Sequence, residues 1–136
     1  MFTCIISEYR KKTKAHLGVQ KFFDDASKHD LYISVITIGE LRRGIELIRY
    51  RSDHKQAMQL ENWLSAIIQD HAYNILDFTS VEAQIWGKFR VPHHENSIDK
   101  QIAATALTHD LTVVMRNILD FSSTGVRILN PFQLNA

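Results

Sequence analysis

Apolar residues along the chain follow two alternating rhythms. Short β-branched and aromatic runs alternate with stretches in which apolar positions return every three or four residues. Leu31 to Ile36 (LYISVI) reads as a buried strand, since a strand covered on both faces is apolar at successive positions. Leu111 to Met115 (LTVVM) reads the same way. Ile75 to Phe78 and Val126 to Leu129 are shorter runs, the second ended by Asn130-Pro131, and Thr3 to Ile6 fits the tail of a first strand. The intervening stretches have helical spacing. Gly18 to Lys28 places Val19, Phe22, Phe23 and Ala26 on one face, and Gly39 to Arg49 does so with Leu41, Ile45 and Ile48. Lys55 to Asp70 carries Met58, Trp63, Leu64, Ile67 and Ile68. Val81 to Phe89 runs toward a break at Pro92, and Ile98 to Thr108 is rich in alanine.

Strands alternating with helices predict an α/β fold with a mainly parallel sheet, right-handed crossovers and helices on both faces. The 136 residues contain no repeat, low-complexity tract or linker, so one domain over 1–136 is expected. In open sheets of this kind ligands bind beyond the carboxyl ends of the strands. That rule says where chemistry should be sought.

Composition narrows the class. No apolar run approaches the roughly 20 residues that span a bilayer. Met1 to Arg10 lacks the basic, apolar and small-residue order of a secretory signal. The only cysteine, Cys4, excludes an internal disulfide and leaves a zinc or redox site without a partner. A reducing cytoplasm is the expected compartment. Net charge is +1 but uneven: Met1 to Lys55 holds eleven Lys/Arg against seven Asp/Glu, and the remainder five against eight. Basic residues gather at Arg10, Lys11, Lys12 and Lys14, and again at Arg42, Arg43, Arg49, Arg51 and Lys55. Such a surface suits a polyanion, and it equally suits a solvated helix face.

Three carboxylates occupy suggestive places. Glu40 lies four residues after LYISVI, Asp99 opens the Ile98 to Thr108 helix, and Asp120 follows LTVVM with Asn117 between. A hard cation such as Mg²⁺ takes oxygen ligands of this kind, and two such ions assist displacement at a phosphodiester. Each acid also has a structural reading. Thr37-Ile-Gly-Glu40 fits a capping box, Asp99 near a helix start is favoured by the macrodipole, and Asp120 fits a turn. Two carboxylates about 4 Å apart repel by about 4 kcal/mol at an effective dielectric near 20. Convergence of all three therefore requires a cation, shared protons or a basic neighbour. His93-His94-Glu95 lacks the HExxH spacing of a zinc protease. His71 and His109 are expected at the surface near helix ends, and Trp63 and Trp86 in the core. A phosphoacceptor receiver domain would need an acidic pair after the first strand, which is missing.

Longer blocks carry a resemblance. Ile33-Ser-Val-Ile-Thr-Ile-Gly-Glu-Leu-Arg-Arg-Gly-Ile45 resembles the second block of VapC/FitB-like PIN domains, and Ser97-Ile-Asp-Lys-Gln-Ile-Ala-Ala-Thr-Ala106 the third. Val114-Met-Arg-Asn-Ile-Leu-Asp-Phe121 resembles the last block, with Met115 where threonine is common. Thr3-Cys-Ile-Ile-Ser-Glu8 resembles the tail of the opening block. The resemblance implies an α/β/α sandwich around a parallel sheet. It also implies an endoribonuclease toxin whose acidic cluster holds Mg²⁺ or Mn²⁺. A homodimer is expected, neutralised by a cognate antitoxin through which alone operator DNA is bound. By the same resemblance Glu40, Asp99 and Asp120 fall on three of four metal-binding acids, with Asn117, Ser7 and Thr3 as supporting polar groups. Arg42, Arg43, Arg10 and Lys11 would steer RNA.

The fourth acid is absent. The family places an aspartate directly before the Thr3 equivalent, and here that residue is Phe2. Phenylalanine cannot bind a cation, so weakened metal binding and reduced or absent cleavage are expected. A first strand truncated at its front half is expected to lower stability. The alternative function is an impaired PIN domain that serves as antitoxin partner and co-repressor.

Overall fold

A computed structural model describes residues 2–3, 31–114 and 125–129. The expected helix at Gly18 to Lys28, the residues of the first strand beyond Thr3, and Met115 lie outside them. The described elements are β1 (Phe2–Thr3), β2 (Leu31–Ser34), α1 (Val35–Tyr50), α2 (His54–Asp70), β3 (Ile75–Leu76), α3 (Ser80–Phe89), α4 (Ser97–Thr108), β4 (Thr112–Val114) and β5 (Ile128–Leu129). The five strands form one sheet in the order β3-β2-β1-β4-β5, and every pairing is parallel. Phe2 is in register with Leu31 on one side and Thr112 on the other, so β1 is the central strand. This is the α/β class that the alternating pattern predicts.

The first crossover differs from the expected boundaries. LYISVI does not stay extended to Ile36. Ser34, fully buried and extended, is the N-cap of α1, and its Oγ accepts the Ile36 N–H at 3.1 Å. That bond satisfies an orphan donor of the first turn, so the helix starts at Val35 and absorbs the β-branched Val35, Ile36 and Thr37. The expected Thr37–Glu40 capping box is therefore not formed, because both residues lie inside the helix. Serine was available as a cap three residues earlier.

α1 and α2 are joined by Arg51–Asp53 alone, a link short enough to force an antiparallel hairpin. Ser52 takes a left-handed φ of 70° in that link. Asp53 then caps α2 by accepting the Gln56 N–H at 3.2 Å. Ile45, Ala57, Leu60 and Leu64 fill the seam, with Leu41, Ile48 and Trp63 packed against them. Across its outer side Arg42 and Arg49 each bond both Glu46 and Glu61.

α4 is the helix around which the rest packs. Ala103, Ala104, Thr105 and Ala106 are all fully buried. Four successive residues sweep roughly 300° around a helix axis, so α4 is enclosed nearly all round at that turn, while Ile98 and Leu107 toward its ends are exposed. It touches α1, α3 and β4. Alanines permit that close approach, and the Thr105 hydroxyl is satisfied by donating to the Gln101 carbonyl at 3.2 Å. Asp110, at φ 55°, turns the chain from α4 into β4. Arg127, next to β5, holds that turn through the Asp110 carbonyl at 2.9 Å and carboxylate at 3.0 Å. No helix among the described residues is long and apolar enough to cross a membrane.

α3 has the capping box that α1 lacks. Thr79 donates its backbone N–H to Glu82 Oε1 at 2.7 Å and its hydroxyl at 2.5 Å, while Thr79 Oγ1 accepts the Val81 N–H at 3.3 Å. Glu82 is 3% exposed. Its carboxyl is held below the usual carboxylate range, chiefly by the Thr79 hydroxyl and then by backbone N–H groups, against an opposing effect of burial.

Two stability predictions follow from this packing. Leu64, 1% exposed in the hairpin seam, should lose about 2–5 kcal/mol on Leu64→Ala. Urea denaturation should show a lower midpoint at an unchanged slope. Glu82, with its depressed folded pKa, contributes stability that is present above the ordinary carboxylate range and lost as pH falls through the folded value. Glu82→Gln should therefore cost about 1 kcal/mol at neutral pH, as cap losses do. It should also show a shallower loss than the wild type when melts are repeated below pH ~4. Parallel curves at all pH values would remove the carboxylate from this role.

Candidate functional site

The strand order defines a single place where chain connections diverge. From β1 the sheet grows through β2 to β3 on one side and through β4 to β5 on the other. The crevice of such a doubly wound sheet opens beyond the carboxyl ends of the strands at that switch. α1 leaves the carboxyl end of β2 directly, with Ser34 as the junction. α4 runs back toward the amino end of β4, which it reaches after only three residues. Its own N-terminus therefore stands at the carboxyl edge, one helix length of about 18 Å from its end.

Both described acids belong to this edge. Glu40 lies in the second turn of α1 and is exposed. Asp99 is the acidic residue in the first turn of α4 and is partly buried. α1 packs against α4, so the two acids stand on neighbouring helices. With the capping box absent, Glu40 has no capping duty, and the structural alternative for it lapses. Asp99 keeps the favourable position at the positive end of its helix. Asp120, Asn117, Ser7, Arg10 and Lys11 lie outside the described residues. Thr3 and Phe2 form β1, so the residue standing where the family has aspartate is in the central strand.

Carboxylate oxygens are the donors a hard divalent cation takes, with waters completing the shell. Glu40 and Asp99 fit that chemistry. The described residues alone hold no group of three or more ligand-type side chains able to bind a metal ion. The third acid of the expected set, Asp120, follows β4.

The basic residues divide. Arg42 bonds Glu61 at 2.7 Å and Glu46 at 3.2 Å, and these carboxylates raise its pKa further. Arg49 bonds Glu46 and, at 2.9 Å, Glu61. Two guanidinium groups and two carboxylates make a neutral set, so Arg42 offers little net charge to steer a polyanion. Arg43 is exposed and pairs with no carboxylate among the described residues. Trp63 is packed on the α1–α2 seam as expected. Trp86 is half-buried. Its Nε1 donates to the Ser97 carbonyl at 3.0 Å, its ring meets Phe78 edge-on, and Arg90 stacks 4.6 Å from its centroid.

One polar residue at this edge was not read from the sequence. Lys100 is 5% exposed and its Nζ donates to the His93 carbonyl at 2.6 Å. A signal existed: Lys100 shares the stripe of Ala103 and Ala104 at three- and four-residue spacing, which places it on the inward face.

A family model for the PIN domain matches residues 3–125. The plasmid stability protein StbB of Pseudomonas syringae pv. tomato is 31% identical, over 96% of each chain. Toxin FitB of Neisseria gonorrhoeae is 33% identical, over 84% of each chain. Among solved structures, FitAcB from Neisseria gonorrhoeae superposes with a TM-score of 0.85 at 29% identity, covering 98% of this chain and 100% of that one. FitAB bound to the IR36 DNA fragment superposes with a TM-score of 0.78 at 25% identity, over 100% and 99% of the two chains. DNA-bound VapBC from Salmonella typhimurium, at 21% identity and a TM-score of 0.72, shares the fold over 96% and 97%. Match length, identity and the parallel sheet agree, and the chain belongs to the PIN-domain family.

Proposed function

We propose that this chain is the toxin of a toxin–antitoxin pair, a metal-dependent endoribonuclease neutralised by a cognate VapB-like antitoxin. The observation that carries the reading is the contact between α1 and α4, with Glu40 in the second turn of one helix and Asp99 in the first turn of the other. Kinship with Toxin FitB and likeness to the FitAcB and FitAB structures support the toxin and its antitoxin partner. DNA would be contacted through the antitoxin. The toxin would act in the cytoplasm as a homodimer.

Glu40, Asp99 and Asp120 would hold Mg²⁺ or Mn²⁺. When bound, the metal supplies water activation and charge stabilisation at the scissile phosphate. The chain's own share is positional. The α4 N-terminus lowers the cost of keeping Asp99 ionised beside another carboxylate, and the enclosed alanine face of α4 keeps that first turn in place. Asn117, Ser7 and Thr3 are polar groups for orienting the acids, and Arg43, Arg10 and Lys11 would steer RNA. Asp99→Asn should reduce Mg²⁺-dependent cleavage of single-stranded RNA by the purified protein by at least about 100-fold, roughly the loss of two decades of charge stabilisation. Equal cleavage by both proteins would take Asp99 out of the reaction.

Phe2 in the central strand favours a second reading, in which the site is impaired and the protein persists as antitoxin partner and co-repressor. Calorimetric titration with Mg²⁺ separates the two. Binding heat abolished by Asp99→Asn supports the nuclease. No heat, with tight association to the antitoxin, supports the impaired form.

A further inference from the structure

Between α3 and α4 the chain runs through a short segment, Val91 to Asn96, that ends at the N-terminus of α4. Its neighbourhood is rich in donors: Lys88, Arg90, His93, His94 and Lys100 stand against Glu95 and Asp99. The segment is fixed at both ends. Arg90 stacks on Trp86, whose indole N–H holds the Ser97 carbonyl. Asn96, at φ 56°, leads into α4, and its carbonyl accepts the Lys100 N–H at 3.0 Å. At its middle, the His93 carbonyl receives the Lys100 ammonium.

That last contact is costly. Burying an ammonium is unfavourable, and an apolar side chain of the same volume would fill the space without desolvating a charge. The ammonium is used on a backbone carbonyl of a surface connection. Its result is to tie the backbone of His93, whose side chain is exposed like that of His94, to the first turn of α4, which also carries Asp99. Glu95 lies 3.9 Å from His93 Nδ1, within ion-pair reach but beyond hydrogen-bond distance. The guanidinium of Arg42, on the neighbouring helix, is already occupied by carboxylates. Arg43 on that helix is exposed, and the segment before α4 offers further donors nearer to Asp99 in the chain.

We infer that Val91 to Asn96 is a contact segment for the RNA backbone, in which His93 and His94 donate to phosphates flanking the scissile one and Lys100 holds the segment in place. This rests on the nuclease reading above. Each imidazole ring carries an N–H that can donate to a phosphate oxygen. Lys100 acts through the loop and is a positioning residue.

Binding is measured by fluorescence anisotropy of a labelled single-stranded RNA of mixed sequence, with chelator present to prevent cleavage. His93→Ala/His94→Ala should weaken binding by about three- to tenfold, the worth of one or two phosphate hydrogen bonds. With Mg²⁺ it should raise KM by a like factor and leave kcat nearly unchanged. His109→Ala, at the opposite end of α4, should leave both values unchanged. Lys100→Met should weaken RNA binding without lowering the melting temperature. Added to His93→Ala/His94→Ala it should cause no further loss, since both act through one loop. Wild-type binding retained by the double histidine variant overturns the loop's role alone, and full affinity in a well-folded Lys100→Met overturns the clamp. A wild type that neither binds nor cuts RNA removes the nuclease reading together with the loop.

Discussion

The pairing of one short strand on both of its edges is the constraint on which the rest depends. β1 contributes only Phe2 and Thr3 to the described ladder, yet both residues are paired with β2 and with β4. That pairing makes β1 the place where the sheet changes direction of growth, and so fixes where a crevice can open. Parallel strands need long crossovers, and those crossovers place the N-termini of α1 and α4 at the same edge. Both acids are on helices delivered there by the topology.

Carboxylates brought close together repel each other, and on the proposed reading features of α4 would offset this. The positive end of α4 lies beneath Asp99, and the buried ammonium of Lys100 is the next residue along the chain. A divalent ion would complete the compensation. The buried run Ala103 to Ala106 packs α4 against its neighbours, including α1. The small residues of α4 permit close packing, and its first turn carries Asp99. On the far side the Arg42, Glu46, Arg49 and Glu61 set closes the hairpin with charges that cancel.

Much of this is legible in the sequence where periodicity is long. α2, α3 and α4 begin within one residue of their expected starts and end where expected, because amphipathic spacing over ten or more residues leaves few alternatives. The start of α1 is not legible in the same way. Val35, Ile36 and Thr37 favour strands, and only the side-chain bond from Ser34 to the Ile36 amide decides for helix. Strands of two to four residues hide their order entirely, since nothing in Ile75–Leu76 or Ile128–Leu129 states which neighbour it joins. For the candidate site, Glu40 and Asp99 were found by their placement after a strand and at a helix start. The pairing of Arg42 with Glu61 is not legible in the sequence, because the two lie on different helices. Lys100 went unread because lysine is so rarely buried that its stripe position was overlooked.

On the proposed reading, folding gathers Glu40, Asp99 and Asp120 around one cation. Anomalous diffraction from crystals soaked in Mn²⁺ tests it directly. The account predicts a single strong peak with oxygens of Asp99, Glu40 and Asp120 around it, those in direct contact at about 2.0–2.3 Å. Carboxylates on separate faces of the molecule, with the Mn²⁺ elsewhere or nowhere, would contradict it.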